Sequence, residues 1–377
     1  MNVRGTATMH RRRTSLVVGL TGLTLLLTGC VSGTPLDTLQ PEGPAARTIQ
    51  NLVTPVFAVA AVVFVLVEGA VVYILWRYRR RPDEPDDAAP EQVHGNTRLE
   101  VGWTILPAVI LAPIAVFTVA TIFTLEQRDD DAIRIDVRGA QWWWEFSYDV
   151  DGDGENDIVT AAEMVIPAGR QVDLSISSYD VIHSFWIPRL NGKRDAVPGR
   201  LSTLSMEADE PGYYWGQCTE FCGLSHANMR MRVVALPPDE YEQWVQTQLQ
   251  PAPEPQTAAE QRGRAVFIGN CASCHQMNGV NEVANVPLVA GVAPNLTHFA
   301  SRNAYAGGIF ELYNDDGSVN RGQLEAWIRN APAEKPAYAQ GQRGMPALGL
   351  TEAQIDDVVE YLLSTADGPV WTGPRND

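Results

Sequence analysis

The chain of 377 residues is poor in basic residues, cysteine and histidine. Lys and Arg number 28 against 45 Asp and Glu, and the resulting charge of −17 argues against a nucleic-acid ligand. It suits soluble domains that stay dispersed or meet a basic partner. The five cysteines each fall where a separate role can be read, so none is left for a disulfide framework. Six histidines are too few for a large histidine-rich catalytic centre. Apolar residues bunch before Leu125, which confines any membrane-spanning segments to the first third of the chain.

What is present begins with a leader. In residues 1–29 the basic run His10-Arg-Arg-Arg13 precedes an apolar stretch from Leu16 to Leu27 and then small residues, the pattern of a secretory signal. Leu27-Thr28-Gly29-Cys30 resembles a bacterial lipobox, which implies cleavage before Cys30 and a lipid on its sulfur; the alternative is an ordinary signal peptide cut nearby. An extracytoplasmic segment, 30–51, leads to a first span at 52–76, apolar apart from Glu68 and a few small polar residues. The basic cluster Arg77-Tyr-Arg-Arg-Arg81 marks the cytoplasmic end of that span. Residues 77–98, with Pro82, Pro85 and Pro90, read as a cytoplasmic loop, and 99–125 as a second span kinked at Pro107 and Pro113. The two form a transmembrane hairpin with both ends outside. Glu68 and Glu100 are its costly residues, because ionisable groups at membrane depth face a helix partner or a functional path.

Beyond Asp131 the pattern changes to short alternating runs, Ile133-Ile135-Val137, Val172-Leu174-Ile176 and Met231-Val233, separated by Gly, Pro and Asp. That predicts an all-β, cupredoxin-like Greek-key sandwich over 131–240. Its last loop packs Cys218, Cys222, His226 and Met229 into one short stretch, and His183 from an earlier strand is the natural second imidazole. Two thiolates, two imidazoles and a thioether suit copper, since a thioether is a poor zinc ligand. Two cysteines spaced by Thr-Glu-Phe suggest two bridging thiolates and a dinuclear site, with Met229 and a backbone carbonyl as weak outer ligands. The alternative is a structural disulfide between Cys218 and Cys222. In Gln141-Trp142-Trp143-Trp144 strand alternation turns at least one of the three indoles outward. The run from Asp149 to Asp157 has the spacing of a calcium-loop start but Thr160 at its twelfth position; it reads as a solvated acidic turn, with bound calcium the alternative.

Residues 241–257 read as a linker, with Gln-Leu-Gln-Pro-Ala-Pro-Glu-Pro-Gln at its core. Extended, that core reaches at most about 30 Å and holds the next domain close enough for weak docking to suffice. In 258–368, Cys271-Ala-Ser-Cys274-His275 is the c-type haem attachment motif: two thiols add to the haem vinyls and His275 takes the iron. The segment from Ala258 to Ile268 predicts the helix presenting the motif. Met345 in Arg343-Gly-Met-Pro346 is the expected opposite ligand, with His298 the competitor; Met277 is too near His275 to reach the other face. Thr351-Glu-Ala-Gln354 is a capping box, and Ile355, Val358, Val359, Leu362 and Leu363 form one face of the closing helix of an all-α class I cytochrome c domain. Residues 369–377 are a tail.

The copper loop, Cys-x-x-x-Cys-x-x-x-His-x-x-Met, follows Gly216-Gln217 and the upstream Asp180-Val-Ile-His-Ser-Phe; together they resemble the CuA domain of cytochrome c oxidase subunit II. The order of hairpin, sandwich and haem domain resembles the bacterial form of that subunit with a fused cytochrome c. The resemblance implies that Trp142 receives electrons at the copper domain, and that Glu220 offers its carbonyl to copper and its carboxylate to a magnesium ion shared with subunit I. It also implies that Glu100 lies at the mouth of a proton channel, that the loop from Asn191 to Arg200 faces subunit I, and that the Pro294 carbonyl accepts the His275 ring N–H. Electrons would then pass from haem c through the dinuclear centre to subunit I, where oxygen is reduced to water with proton pumping. This chain itself would hold no oxygen site. Expected partners are subunits I and III, an external cytochrome c or other respiratory donor, and the lipid of the bacterial plasma membrane, with both redox domains on its outer side. Three rivals share features: a CuA-containing nitric oxide or nitrous oxide reductase component, a copper chaperone for oxidase assembly, and a quinol oxidase subunit, which keeps the fold but lacks the copper ligands.

Overall fold

The structure, a computed structural model, describes residues 34–79, 94–288, 292–338, 343–366, 368–369, 371 and 373. The leader, its lipobox Cys30 and most of the cytoplasmic loop lie outside the described residues. Two apolar helices, α1 (Pro44–Arg77) and α2 (Thr97–Leu125), pair antiparallel with their flanks bare. At helical rise α1 is about 51 Å long, well beyond the roughly 30 Å of a hydrocarbon core, so it starts ahead of the expected 52–76 span. Its first turns belong to the β-domain instead. Arg47 forms a two-pronged ion pair with Asp209 at 2.8 Å, the Ala46 N–H donates to the Leu190 carbonyl, and Arg189 pairs with Glu42 at 2.8 Å. The second helix is capped by Asn96, whose side chain accepts from the Arg98 and Leu99 N–H groups, and Glu100 sits exposed in its first turn.

Ten strands then build the sandwich: β1 (Ile133–Ala140), β2 (Trp143–Tyr148), β3 (Ile158–Ala161), β4 (Glu163–Pro167), β5 (Val172–Ser178), β6 (His183–Phe185), β7 (Arg194–Ala196), β8 (Ser202–Met206), β9 (Gly212–Gln217) and β10 (Arg230–Leu236). One sheet runs β3-β2-β1-β5-β8, the other β4-β10-β9, and β6 and β7 make a separate ribbon. Burial alternates along β1 and β5, as period two requires for a sheet with one face in the core. It does not alternate along β2, where every residue is buried. All three indoles are therefore buried, against the expectation of an outward one, because a second domain covers the outer face at Trp143.

The linker is also shorter than expected. Pro238–Gln248 is a helix, α3, that buries Tyr241, Trp244 and Val245 against the sandwich, where the sequence suggested linker from 241 onward. Pro238 opens it with a preset φ and Asp239 and Glu240 sit favourably in its first turn, signals that the prolines further on obscured. What remains extended is pinned to the haem domain: the Ala252 N–H donates to the Asn278 carbonyl, and His298 Nε2 lies 3.0 Å from the Gln250 carbonyl.

The haem domain comprises α4 (Ala258–Asn270), α5 (Asn281–Ala284), the ribbon β11 (Ala304–Tyr305) with β12 (Phe310–Glu311), α6 (Arg321–Glu334) and α7 (Glu352–Leu363). Both α4 and α7 start at complete capping boxes, Thr257 with Glu260 and Thr351 with Gln354. They cross closely at Gly263, where a Cβ would run into the Asp357 carbonyl, and this crossing holds the domain together.

The two soluble domains dock through a polar seam with little water access. The Glu163 carboxylate, 1% exposed, accepts N–H bonds from Ala304 at 2.7 Å and Asn303 at 3.2 Å. Burial raises its pKa against the opposing pull of Arg232. Arg232 in turn reaches Glu311 at 2.6 Å and stacks 3.9 Å over the Trp215 ring. Arg302 donates to the Ala161 carbonyl, the Arg230 N–H to the Gly307 carbonyl, and the Ser225 hydroxyl to the Pro336 carbonyl. Even the tail returns, since Trp371 packs on the sandwich and its carbonyl accepts the Tyr213 hydroxyl. Arg232→Met leaves Glu163 buried without its cation and should weaken docking by about 3 kcal/mol. Limited proteolysis between Gln250 and Gln256 should then become much faster while the haem stays attached; an unchanged cleavage rate would contradict the seam's importance.

Candidate metal centre and haem cleft

The copper-type ligands meet at one end of the sandwich. Cys218 follows β9 directly, Cys222 lies four residues on, His226 opens a short 3-10 turn and Met229 ends it just before β10. His183 arrives from β6 on the opposite side. Its ring lies flat over Gly139 of β1, where a Cβ would come within 2.8 Å of the imidazole, so the close approach demands glycine.

The two thiols are free, with Sγ atoms 3.9 Å apart, far beyond the roughly 2.05 Å of a disulfide bond. Each has its own partners. Cys218 Sγ lies 3.9 Å from His183 Nδ1 and 3.3 Å from the Glu220 carbonyl oxygen. Cys222 Sγ lies 3.5 Å from His226 Nδ1 and 3.8 Å from Met229 Sδ. The donors thus divide into two sets, each with one sulfur, one imidazole and one weak donor. Cys218 is held down to about 4, mainly by its contact with Cys222 and further by His183, while Cys222 is pushed up by the same contact and by burial. The Glu220 side chain points into solvent.

His183 is wholly buried and its Nε2 lies 2.8 Å from Asp180 Oδ1. Burial alone would lower its pKa, but the Asp180 carboxylate and the Cys218 sulfur outweigh that and leave it raised. With the Nε2 proton held by Asp180, Nδ1 presents its lone pair to the site. Asp180 also draws the Gln141 N–H at 2.9 Å and Arg343 at 3.6 Å.

In the haem domain Cys271, Cys274, His275 and Met345 all line one cleft with about 1380 Å³ of empty space, part of it open to solvent. The His275 ring is bonded through Nδ1 to the Pro294 carbonyl at 2.8 Å. Burial lowers its pKa, so it stands neutral with Nε2 free for a metal. Burial also pushes Cys271 up to about 12, with the nearby Cys274 adding to the rise. His298 does not line the cleft; its Nε2 is turned to the Gln250 carbonyl of the linker. Met277 is fully buried and its sulfur accepts the Tyr361 hydroxyl. A largely apolar cleft lined by a neutral imidazole, a thioether and two thiols fits a haem.

Trp142 stands between the cleft and the copper loop. Trp142, 2% exposed, lines the cleft while its indole N–H donates to the Cys222 carbonyl at 3.1 Å. Its ring centroid lies 5.4 Å from that of Tyr338, and a Cβ on Gly344, beside Met345, would sit 3.7 Å from it. Its carbonyl accepts the buried Lys335 ammonium at 2.6 Å. Lys335, Tyr338 and the Arg343 contact with Asp180 escaped the sequence reading, because nothing local marks residues whose partners lie more than 150 positions away.

The aspartates of the acidic turn, Asp149, Asp151 and Asp153, come within 4.8 Å of one another and stay largely exposed. Asp149 accepts the Gly152 and Gly154 N–H groups, and Thr160 lies in β3 opposite Phe146, away from the turn.

A membrane hairpin carrying a sulfur- and imidazole-lined metal site and a haem-type cleft defines a membrane-anchored electron-transfer protein. Family models agree with this part by part: cytochrome c oxidase subunit II, transmembrane domain, matches residues 38–121; its periplasmic domain matches 152–236; and cytochrome c matches 260–366. Cytochrome c oxidase subunit 2 of Alkalihalophilus pseudofirmus is 38% identical over 354 residues, 92% of this chain and 95% of the relative. That of Bacillus sp. (strain PS3) is 34% identical, covering 91% and 94%. Quinol oxidase subunit 2 of Bacillus anthracis is 32% identical over 62% of this chain and 79% of its own length. Among solved structures, the periplasmic domain of subunit II of cytochrome oxidase from Bradyrhizobium japonicum is 29% identical, covering 32% of this chain and 95% of that one, with a TM-score of 0.30. The chain belongs to the cytochrome c oxidase subunit II family. It is a two-pass membrane protein with its copper and haem domains on the extracytoplasmic side.

Asp180→Asn should weaken copper binding about 10- to 100-fold by releasing the His183 ring, with the sandwich intact. Competition with a copper chelator measures this, and an unchanged affinity would contradict the role given to Asp180.

Proposed function

We propose that this chain carries electrons one at a time from a donor, through a single covalent haem c and a dinuclear CuA centre, to the oxygen-reducing core of a respiratory haem-copper oxidase. The observation that carries the dinuclear reading is the division of donors around two sulfurs 3.9 Å apart, each with its own imidazole. Copper and haem, when bound, supply reversible one-electron chemistry. The chain's own residues do the rest. His183, Cys218 and the Glu220 carbonyl would hold one copper; His226, Cys222 and Met229 would hold the other. Cys271 and Cys274 would anchor the haem, with His275 and Met345 on its two faces and Pro294 orienting the histidine ring. These ligands argue against the quinol oxidase reading, which has no use for them. His226, Met229 and the haem motif argue against a copper chaperone.

Trp142 is the residue through which the two sites would communicate, since it lines the cleft and holds the Cys222 carbonyl. The exposed Glu220 carboxylate is free to share a magnesium ion with subunit I, and Glu100, in the first turn of α2, to stand at the mouth of a proton channel there. Subunits I and III and an external cytochrome c are the proposed partners. Cys30, as a lipidated N-terminus, would add a second attachment to the membrane.

Metal and haem analysis of the purified chain should give two coppers and one covalent haem; one copper, or zinc in its place, would refute the dinuclear reading. Trp142→Phe keeps a ring in the seam and loses the bond to Cys222. It should slow electron transfer between the sites in rapid-mixing kinetics with both cofactors at full occupancy, and an unchanged rate would refute the relay role.

A further inference from the structure

Three groups on the wall of the haem cleft have hydrogen-bonding capacity that no described residue fills. Trp143 Nε1 and the Tyr305 hydroxyl are buried, each side chain 6% exposed, and neither has a partner. Lys335, 8% exposed, gives two of its three ammonium protons to neutral carbonyls, those of Trp142 at 2.6 Å and Ala306 at 2.8 Å. Burial pushes its pKa down to about 7, with only the Cys222 sulfur pulling the other way. All three residues line the one cleft, and Lys335 ties together the backbone beside the other two. Trp143 follows the residue whose carbonyl Lys335 holds, and Tyr305 precedes the other.

A buried donor left unpaired costs about 1–3 kcal/mol, and a buried cation without a counter-ion costs more. Two idle donors and an ammonium without a carboxylate partner, lining one cleft, suit an anionic oxygen acceptor. Water could satisfy the donors but brings no charge. The Glu163 carboxylate, a buried anion of the seam, is already taken by two backbone N–H groups and by Arg232. The anionic groups at a haem's rim are its two propionates, and a haem tethered at Cys271 and Cys274 would fill this same cleft.

We propose that a haem propionate is received by Trp143 Nε1, the Tyr305 hydroxyl and the Lys335 ammonium, so that the haem site is completed by a side chain of the copper domain. This rests on the haem reading above. It gives the docking seam a second role. The β-domain helps to set the haem's redox poise, because a propionate close to the iron favours the oxidised state and donors that offset its charge favour the reduced one.

The test uses the full chain with its haem attached and reads the haem reduction potential together with the propionate bending band in resonance Raman spectra. Trp143→Phe, Tyr305→Phe and Lys335→Gln should each lower the potential and move that band. Trp144→Phe is the control: its indole N–H is also buried and unpartnered, but its ring packs on His183 and Phe185 and does not line the cleft. It should leave both readouts unchanged. Loaded variants with an unshifted band and potential overturn this inference alone, as does an equal shift in Trp144→Phe. Absence of covalent haem from the parent chain would overturn the haem reading, and this inference with it.

Discussion

The Glu163 carboxylate is cut off from water, and the N–H groups that satisfy it belong to the other soluble domain. A charge in that position cannot be left half-solvated, because separating the domains would strip its donors before water replaced them. Arg232 and Glu311 extend the seam on one side, and Lys335 holding the Trp142 carbonyl extends it on the other. The haem domain is therefore a fixed part of the copper domain's surface. A linker that would allow weak, repeated docking is instead a helix on one domain and a pinned strand on the other.

This fixed docking determines how the two sites can communicate. Trp142 is sealed beneath the haem domain, out of reach of any partner in solution. Asp180 ties the sites a second time: it orients the His183 ring and also pairs with Arg343, two residues before Met345. A shift of the Met345 loop would thus be felt at the His183 ring without passing through Trp142.

Much of the site was legible in the sequence because its chemistry is local. Cys218, Cys222, His226 and Met229 fall within twelve consecutive residues, and Cys271, Cys274 and His275 within five. The capping box at Thr351 was legible for the same reason, whereas Met345 was chosen by residue type from a distant stretch and does line the cleft. The seam was not, since Glu163, Arg232, Arg302 and Lys335 look like ordinary charged residues on strands and helices until the other domain covers them. Trp142 shows the difference most clearly. Alternation argued that one indole of the run faces outward, and Trp143 does leave the sandwich core, but what it meets is the haem cleft. The helix at Pro238–Gln248 was hidden by the prolines that follow it, although Tyr241, Trp244 and Val245 already carry a helical apolar spacing.

Fixed and tethered docking differ in one measurable respect. A domain that must find its partner does so more slowly in viscous solvent and at high salt, whereas a sealed seam has no encounter step. The direct measurement is the rate of electron transfer between haem and copper sites in the intact chain across a range of viscosity and ionic strength. A constant rate is what the buried seam predicts; a rate that falls with either variable would mean that the domains separate and re-dock, and would contradict the account.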